Sequence, residues 1–234
     1  MPIDLPLQRV NELVKTCKYL YININHPQPS PESFLYFAIN QAISETLVFP
    51  PAASDVPDDD EQARTVSTAT RVLPPHHLSL AEQVRIRKYW GECLTDLFFK
   101  YEEQQTEEEF EKDMLALYKK LFLVFPSTLR NPEGFDSYGL KLISAQLSLA
   151  LWLKQLWCVG SIPAPPACPL STNILMLSTR YPDLQLWRHV NSMEEYRERM
   201  REVHEEAGDV EVAKWELLQQ LAAHHLEVSG KLGL

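Results

Sequence analysis

Glycine is scarce in this chain, with 7 glycines among 234 residues, whereas proline is frequent, with 17. Few glycines favour helices, because glycine in a helix interior costs conformational entropy. Prolines that occur in clusters mark the places where helices stop. No segment alternates between apolar and polar residues for long enough to predict a strand, and no internal repeat is found. The sequence therefore predicts an all-α, multi-helix globular domain around a central apolar helix, with one long mobile acidic loop.

Long apolar runs are also missing, since no segment approaches the roughly 18 residues of a membrane span. The N-terminus carries an early acid and has no signal-peptide layout, so we expect no membrane association and a cytoplasmic location. The four cysteines lie far apart without a CxxC pair, which favours reduced thiols. The net charge of −10 disfavours sequence-independent binding to the phosphate backbone of nucleic acid. Net charge does not describe how the charges are distributed, so a small basic patch is an open alternative.

Signatures of catalysis and of cofactor binding are few. No glycine-rich phosphate loop is present, so the familiar nucleotide-dependent reactions are not expected. His224 and His225 would project about 100° apart on a helix, which disfavours a shared metal ion. Glu107, Glu108 and Glu109 stand in a first helical turn, where acids stabilise the helix end. We predict no catalytic residues, no metal site and no cofactor.

The chain divides into three expected segments. Residues 1–49 predict a helical pair, residues 50–78 a mobile, proline-bounded acidic loop, and residues 79–234 the main helical domain. The loop carries the acids Asp58 to Glu61 and too little apolar surface to offset the entropy of ordering. A solvated spacer is the first interpretation of this loop, and an acidic docking segment is the alternative.

Capping signals predict several helix starts. Ser30 precedes Pro31, and the pairs Ser79 with Glu82 and Ser192 with Glu195 have the spacing of capping boxes. The helix after Ser79 is expected to turn one apolar stripe inward, formed by Leu80, Val84, Trp90, Leu94, Leu97 and Phe98.

Two further helices are expected from apolar spacing. The first runs from Leu5 to about Tyr21, with Leu7, Val10, Leu13, Val14 and Cys17 as its periodic residues. The other runs from Ser137 to about Cys158 and is apolar round most of its circumference. We therefore expect it to be the central helix that the others surround.

A stiff, proline-rich loop, GSIPAPPACP, follows this central helix, and tryptophans and cysteines lie near it in the sequence. The tryptophans near it predict either filling of the core or an aromatic pocket for a base or another flat ligand. Catalysis by the flanking cysteines is disfavoured, because thiols at the end of an apolar helix are expected to be buried and inert. The candidate pocket residues are Leu147, Trp152, Trp157, Cys158, Cys168, Ser171, Thr172 and Trp187.

The segments LKQLWCVGSIPAPPACPLSTNIL, LWRHVNSMEEYRERMREVHEEAG and AKWELL carry a resemblance. They are similar to an uncharacterised bacterial all-helical family with the pattern LKxLWCxGxIPxPPxCP…WEL, over about Phe135 to Leu218. That family remotely resembles the helix-hairpin-helix DNA glycosylases, whose nucleophile is a lysine assisted by an aspartate. The resemblance implies a lysine at Leu147 and an aspartate at Ser171, so this chain lacks both groups. It therefore implies the fold more than the activity.

The first functional prediction is a non-catalytic, cytoplasmic helical protein that binds another protein. The alternative is a DNA-glycosylase-like enzyme, or a degenerate relative that still binds a base. A less favoured third possibility is a hydrolase or transferase that uses an unrecognised acidic pocket. The arginines Arg188, Arg197, Arg199 and Arg201 suit the alternative, but glutamates stand between them, which is typical of ion pairs along a solvated helix.

Overall fold

A computed structural model of the chain describes residues 7–26, 28–49, 78–129, 138–171, 174, 186–220 and 222. Helices dominate these ranges and no strand occurs in them, which confirms the predicted all-α fold. The predicted acidic loop at 50–78 lies outside the described residues except for Leu78, and so does Thr172. No helix in the described part of the chain is both long and apolar enough to cross a membrane.

The helices follow one another with short connections wherever the chain is described. In chain order they are α1 (Leu7–Asn25), α2 (Pro31–Glu45), α3 (Leu80–Thr95), α4 (Phe98–Tyr101), α5 (Glu107–Val124), α6 (Pro126–Leu129), α7 (Leu142–Cys158), a 3-10 turn (Leu186–His189), α8 (Met193–Ala207) and α9 (212–220).

The predicted caps are present at the starts of α2, α3 and α8. At α3 the Glu82 amide donates to the Ser79 hydroxyl at 3.2 Å, and the Ser79 amide donates back to the Glu82 carboxylate at 3.1 Å. Ser192 and Glu195 form the same reciprocal pair at α8. These bonds satisfy amides that have no partner within the helix, so each start is determined locally.

Helix α7 is the central helix, as predicted, because all of its residues except the last are buried. It begins at Leu142 rather than Ser137, since residues 138–141 are held in a non-helical connection. The Gly139 amide donates to the Leu47 carbonyl at 3.1 Å, and the Leu140 amide donates to the Leu129 carbonyl at 3.0 Å. Helices α1, α2 and α5 pack directly on α7, and all share one hydrophobic core.

The predicted inward stripe of α3 is wrong at its first two residues. Leu80 is 75% exposed and Val84 is 56% exposed, while the buried residues of this helix begin at Ile86. At 100° per residue, Val84 lies roughly 140° round the helix from the centre of the buried face that contains Ile86 and Trp90. Val84 therefore belongs to a second apolar face, which it shares with Gly91.

Helix α1 is longer than predicted. It continues past Tyr21 to Asn25, and the His26 amide still donates to the Ile22 carbonyl at 2.7 Å. Val10, Val14 and Tyr21 are buried against the core, whereas Leu13 is exposed. The apolar periodicity at the start of the chain thus forms one wide face, of which one side is buried against the core and the other side is partly exposed.

Candidate functional site

The residues predicted to form a pocket are mostly part of the hydrophobic core. Cys158 and Ser171 are half-buried, while Thr172 lies outside the described residues. Burial raises the pKa of Cys158 to about 12 and also raises the pKa of Cys168, so both thiols stay protonated near neutral pH. The fully buried members are Leu147, Trp152, Trp157, Cys168 and Trp187.

The proline loop after α7 is held to the core by Gln146. The Gln146 amide nitrogen donates to the Cys168 carbonyl at 2.8 Å, and its oxygen accepts from the Leu170 amide at 3.1 Å. On the outer side, Gln104 donates to the Ala164 carbonyl at 2.9 Å. Prolines supply few amide donors of their own, so a buried glutamine that satisfies both kinds of backbone group fixes the loop in place.

Lys141 is one of two lysines that α7 and its cap contribute to the core. Its Nζ donates to the Thr46 carbonyl at 2.8 Å, and the side chain is buried. Burial, and then the positive charge of Arg188, lowers the pKa of Lys141 to about 8. An amine with a lowered pKa is a potential nucleophile, but a substrate carbonyl would also have to reach it. Neither of the two cavities described below includes this residue.

The other buried lysine, Lys154, connects three helices. Its Nζ lies 2.8 Å from Oε1 of Glu216 on α9 and 2.5 Å from Oε1 of Gln220. The same Nζ stands 4.3 Å from the centre of the Tyr21 ring on α1. A buried charge needs such partners, because removing it from water is costly. The arrangement therefore makes Lys154 a structural residue.

Two of the arginines that could have served a nucleic-acid site are in ion pairs. Arg197 on α8 donates through Nε to Glu111 on α5 at 3.1 Å and through Nη2 at 2.6 Å. Arg199 lies 3.5 Å from Glu202 on its own helix. Ion pairing along a single solvated helix was the plainer of the two sequence interpretations. The Arg199 contact agrees with it, whereas Arg197 pairs with a glutamate of a different helix.

An open groove lies between α2 and α3, on the face of α3 that carries Val84. Its volume is about 630 Å³, and its lining is mainly apolar. Leu35 and Ile39 of α2 face Val84 and Gly91 of α3 across the groove, and the exposed ring of Tyr36 stands at its edge. None of these residues was predicted to belong to a site.

The two helices that form the groove run antiparallel. In the middle of α3, the Arg87 Nε donates to Oδ1 of Asn40 at 2.9 Å and its guanidinium lies 5.0 Å from the Phe49 ring beyond the end of α2. Gly91, one turn later in α3, instead lies beside Ile39, earlier in α2. On its opposite face, α3 is anchored to α7, since the indole N–H of Trp90 donates to Ser148 at 3.0 Å. The core thus holds α3 in place while its other face remains open.

Gly91 is the one groove residue without a side chain. Its backbone has no positive φ, unlike Gly160 and Gly208. A Cβ atom at this position would meet the Ile39 Cδ1 at 3.7 Å, which is ordinary van der Waals contact. The fold would therefore accept alanine here, and glycine leaves the groove deeper than alanine would.

Charged residues are distributed unequally along the groove. Glu32, Glu92 and Asp96 line the end at the start of α2, while Arg87 and Lys88 line the part nearer the start of α3. Lys88 stands 4.0 Å from Glu92, at the limit of an exposed ion pair. The groove is therefore acidic at the end near the start of α2 and carries basic groups about half-way along α3.

A second open cavity, of about 540 Å³, lies on the other side of α2. Its lining is more polar and includes Asn25 and Gln41, and it shares Tyr36 and Asn40 with the groove. His26 borders it, with its ring 4.9 Å from the rings of both Phe34 and Phe37. Burial lowers the pKa of His26, so its imidazole is neutral near neutral pH.

The chain shows no significant match to known protein families, to curated proteins or to solved structures. The resemblance to a bacterial helical family therefore stays a prediction. Among the described residues, no three or more His, Cys, Asp or Glu side chains are grouped so that they could hold a metal ion. The α2–α3 groove is the larger and the more apolar of the two cavities described above.

Proposed function

We propose that this protein is a non-catalytic binding protein, and that its α2–α3 groove takes up an amphipathic helix of another protein. The observation that carries the proposal is Gly91 in the floor of the groove. Glycine in a helix interior costs about 0.5–1 kcal/mol relative to alanine. The backbone conformation at position 91 does not require glycine, and a Cβ atom would fit there. The space that glycine leaves open in the groove is therefore the best explanation for a glycine at this position.

The groove has the form that a helix prefers as a neighbour. Two antiparallel helices present a shallow channel between them, and a third helix placed over it packs its side chains into that channel. Recognition of this kind depends on apolar anchors at helical spacing, which enter an apolar floor. Leu35, Ile39 and Val84 supply such a floor.

The charges specify the ligand further. A helix that places a basic residue beside Glu32, Glu92 and Asp96, and an acidic residue beside Arg87, would pair its charges with both groups. The partner is therefore an amphipathic helix that carries charges of both signs.

The glycosylase alternative gains little support from Leu147 or from the two lysines of α7 and its cap. Leu147 is fully buried, while Lys141 and Lys154 are buried and bonded to Thr46 and Glu216.

All four cysteines are free thiols, which supports the cytoplasmic location that is part of this proposal.

Site-specific photocrosslinking tests the proposal. A photoreactive phenylalanine analogue replaces Val84 in the groove, or Leu123 on α5 as a control, since both side chains are exposed and apolar. In lysate of the source cell, we expect the analogue at 84 to crosslink a peptide with helical apolar spacing and charges of both signs. Introducing Gly91→Leu should remove this product, while a thermal melt shows that the fold persists.

Two results would contradict the proposal. One is a crosslink at position 84 that Gly91→Leu leaves unchanged, since the ligand would then not occupy the floor. The other is a crosslinked peptide without apolar residues at helical spacing. Labelling of the same peptide from position 123 would show contact that is not specific to the groove, and would also count against it.

A further inference from the structure

An apolar stripe on the outer side of α1 has no partner in the described molecule. Leu13 is 41% exposed, Leu20 is 42% exposed and Ile24 is 48% exposed, and half-buried Cys17 stands between them. At 100° per residue, these four side chains fall within about 60° of one another round the helix. They form a narrow ridge about 16 Å long, whose centre lies roughly 70° round the helix from the centre of the buried face that contains Val10, Val14 and Tyr21.

The spacing of this stripe is the same in both directions along the helix. From Leu13 the steps are four, three and four residues, through Cys17 and Leu20 to Ile24. These are the steps of a coiled-coil seam, in which apolar residues alternate between spacings of three and four. An axis through the middle of the stripe would place Leu13 against Ile24 of an antiparallel copy, and Cys17 against Leu20.

The charge on this part of α1 also fits a second copy. Lys15 and Lys18 are the only charged residues from Leu13 to Asn25. Lys18 is turned toward its own molecule, since its Nζ donates to the Trp157 carbonyl at 2.9 Å and lies 4.1 Å from the centre of the Trp157 ring. Lys15 projects roughly 170° away from the centre of the stripe.

Neutrality matters because the same surface meets itself across a two-fold axis. Two copies of a chain with net charge −10 repel each other, and a charged patch would also face its own sign. The residues that flank the stripe on its solvent side, Thr16 and Asn23, are uncharged. Burial raises the pKa of the Cys17 thiol, so this member of the stripe is neutral as well.

We infer that α1 is a self-association surface, through which two copies of the chain pair antiparallel along Leu13, Cys17, Leu20 and Ile24. This interface is separate from the α2–α3 groove and does not depend on the function proposed for it. A single pair of helices buries less than the roughly 1,200 Å² of a standard stable interface, so the dimer is weak, with a Kd on the order of micromolar.

Sedimentation equilibrium of the full chain, from about 1 to 200 µM, tests this inference across the Kd expected for so small an interface. The wild type should pass from monomer to dimer, while Leu20→Glu should raise the Kd at least about tenfold, because two carboxylates would meet near the axis. Tyr19→Glu is the matched control. Tyr19 is exposed on the same helix but lies roughly 130° from the stripe, so its replacement should leave the Kd unchanged.

A charge-reversal experiment excludes a trivial loss of folding. Leu20→Glu and Leu20→Lys proteins should each be monomeric alone and should form a mixed dimer when combined, because opposite charges then meet. Circular dichroism confirms that both variants stay helical. A wild type that remains monomeric throughout, a dimer that Leu20→Glu does not weaken, or charge-reversed variants that do not pair when mixed would each overturn the inference.

Discussion

At the scale of single residues, two side chains show how burial changes the protonation of a polar group. Lys141 has an amine whose pKa is lowered to about 8, yet the amine is buried and bonded to the Thr46 carbonyl. Cys158 has a thiol whose pKa is raised to about 12, which removes its nucleophilic form near neutral pH. In both cases burial is the main cause of the shift, because the charged form of a group loses its hydration within the core.

Lys141 predicts a distinctive dependence of stability on pH. In the unfolded chain a lysine keeps its proton to about pH 10.4, whereas the folded chain releases it near pH 8. Between these values the unfolded state binds more protons, so the free energy of unfolding rises with pH. Relative to Lys141→Met, the wild type should gain about 1–2 kcal/mol from pH 8 to pH 10, after allowance for solvent screening.

Urea denaturation of both proteins across this pH range measures the difference between them, so that titration of other groups cancels. A difference that stays constant with pH, or falls as the pH rises, would mean that the folded pKa of Lys141 is not lowered.

At the scale of elements, the connection after α7 depends on one buried glutamine. Gln146 lies on a helix that is otherwise rich in leucine, and it bonds to the C-terminal end of the proline loop, at Cys168 and Leu170 on either side of Pro169. Prolines reduce the freedom of the unfolded loop, and Gln146 selects the position of the folded one. The loop is therefore a fixed part of the core surface.

Replacing Gln146 with leucine should destabilise the protein by about 2–4 kcal/mol, because a buried carbonyl and a buried amide both lose their partners. Gln104→Leu is the control, since it removes one bond to the same loop at an exposed position, where water replaces it. Urea denaturation should show a cost below about 1 kcal/mol for the control. Equal costs for the two variants would contradict this account of the loop.

The elements differ in how far the sequence could predict them. Caps such as Ser79 with Glu82 are formed by neighbours in the chain, so their spacing was sufficient. The apolar circumference of α7 likewise predicted a central position. The groove could not be predicted, because it depends on α2 lying beside a face of α3 that local apolar spacing assigned to the core through Leu80 and Val84. Gly91, in the middle of a helix, was the available signal.

At the scale of the whole molecule, one core connects the first and last described parts of the chain. A buried polar cluster joins Tyr21 of α1, Lys154 of α7 and Glu216 of α9. The central helix therefore contacts both the first and the last of the described helices. With α7 enclosed, the two proposed binding surfaces lie on helices that surround it. The groove between α2 and α3 suits a partner helix, and the neutral stripe on α1 suits a second copy.

The affinity of the crosslinked helix for a series of Gly91 variants tests the central claim most directly. Calorimetric titration of the synthetic peptide into wild type, Gly91→Ala and Gly91→Leu should give Kd values that rise in that order. The Leu variant should bind at least about tenfold more weakly than the wild type, because its side chain fills the floor. Thermal melts should show Gly91→Ala to be more stable than the wild type by about 0.5–1 kcal/mol. Equal affinities across the series, with all three proteins folded, would contradict the assignment of the groove as the binding site.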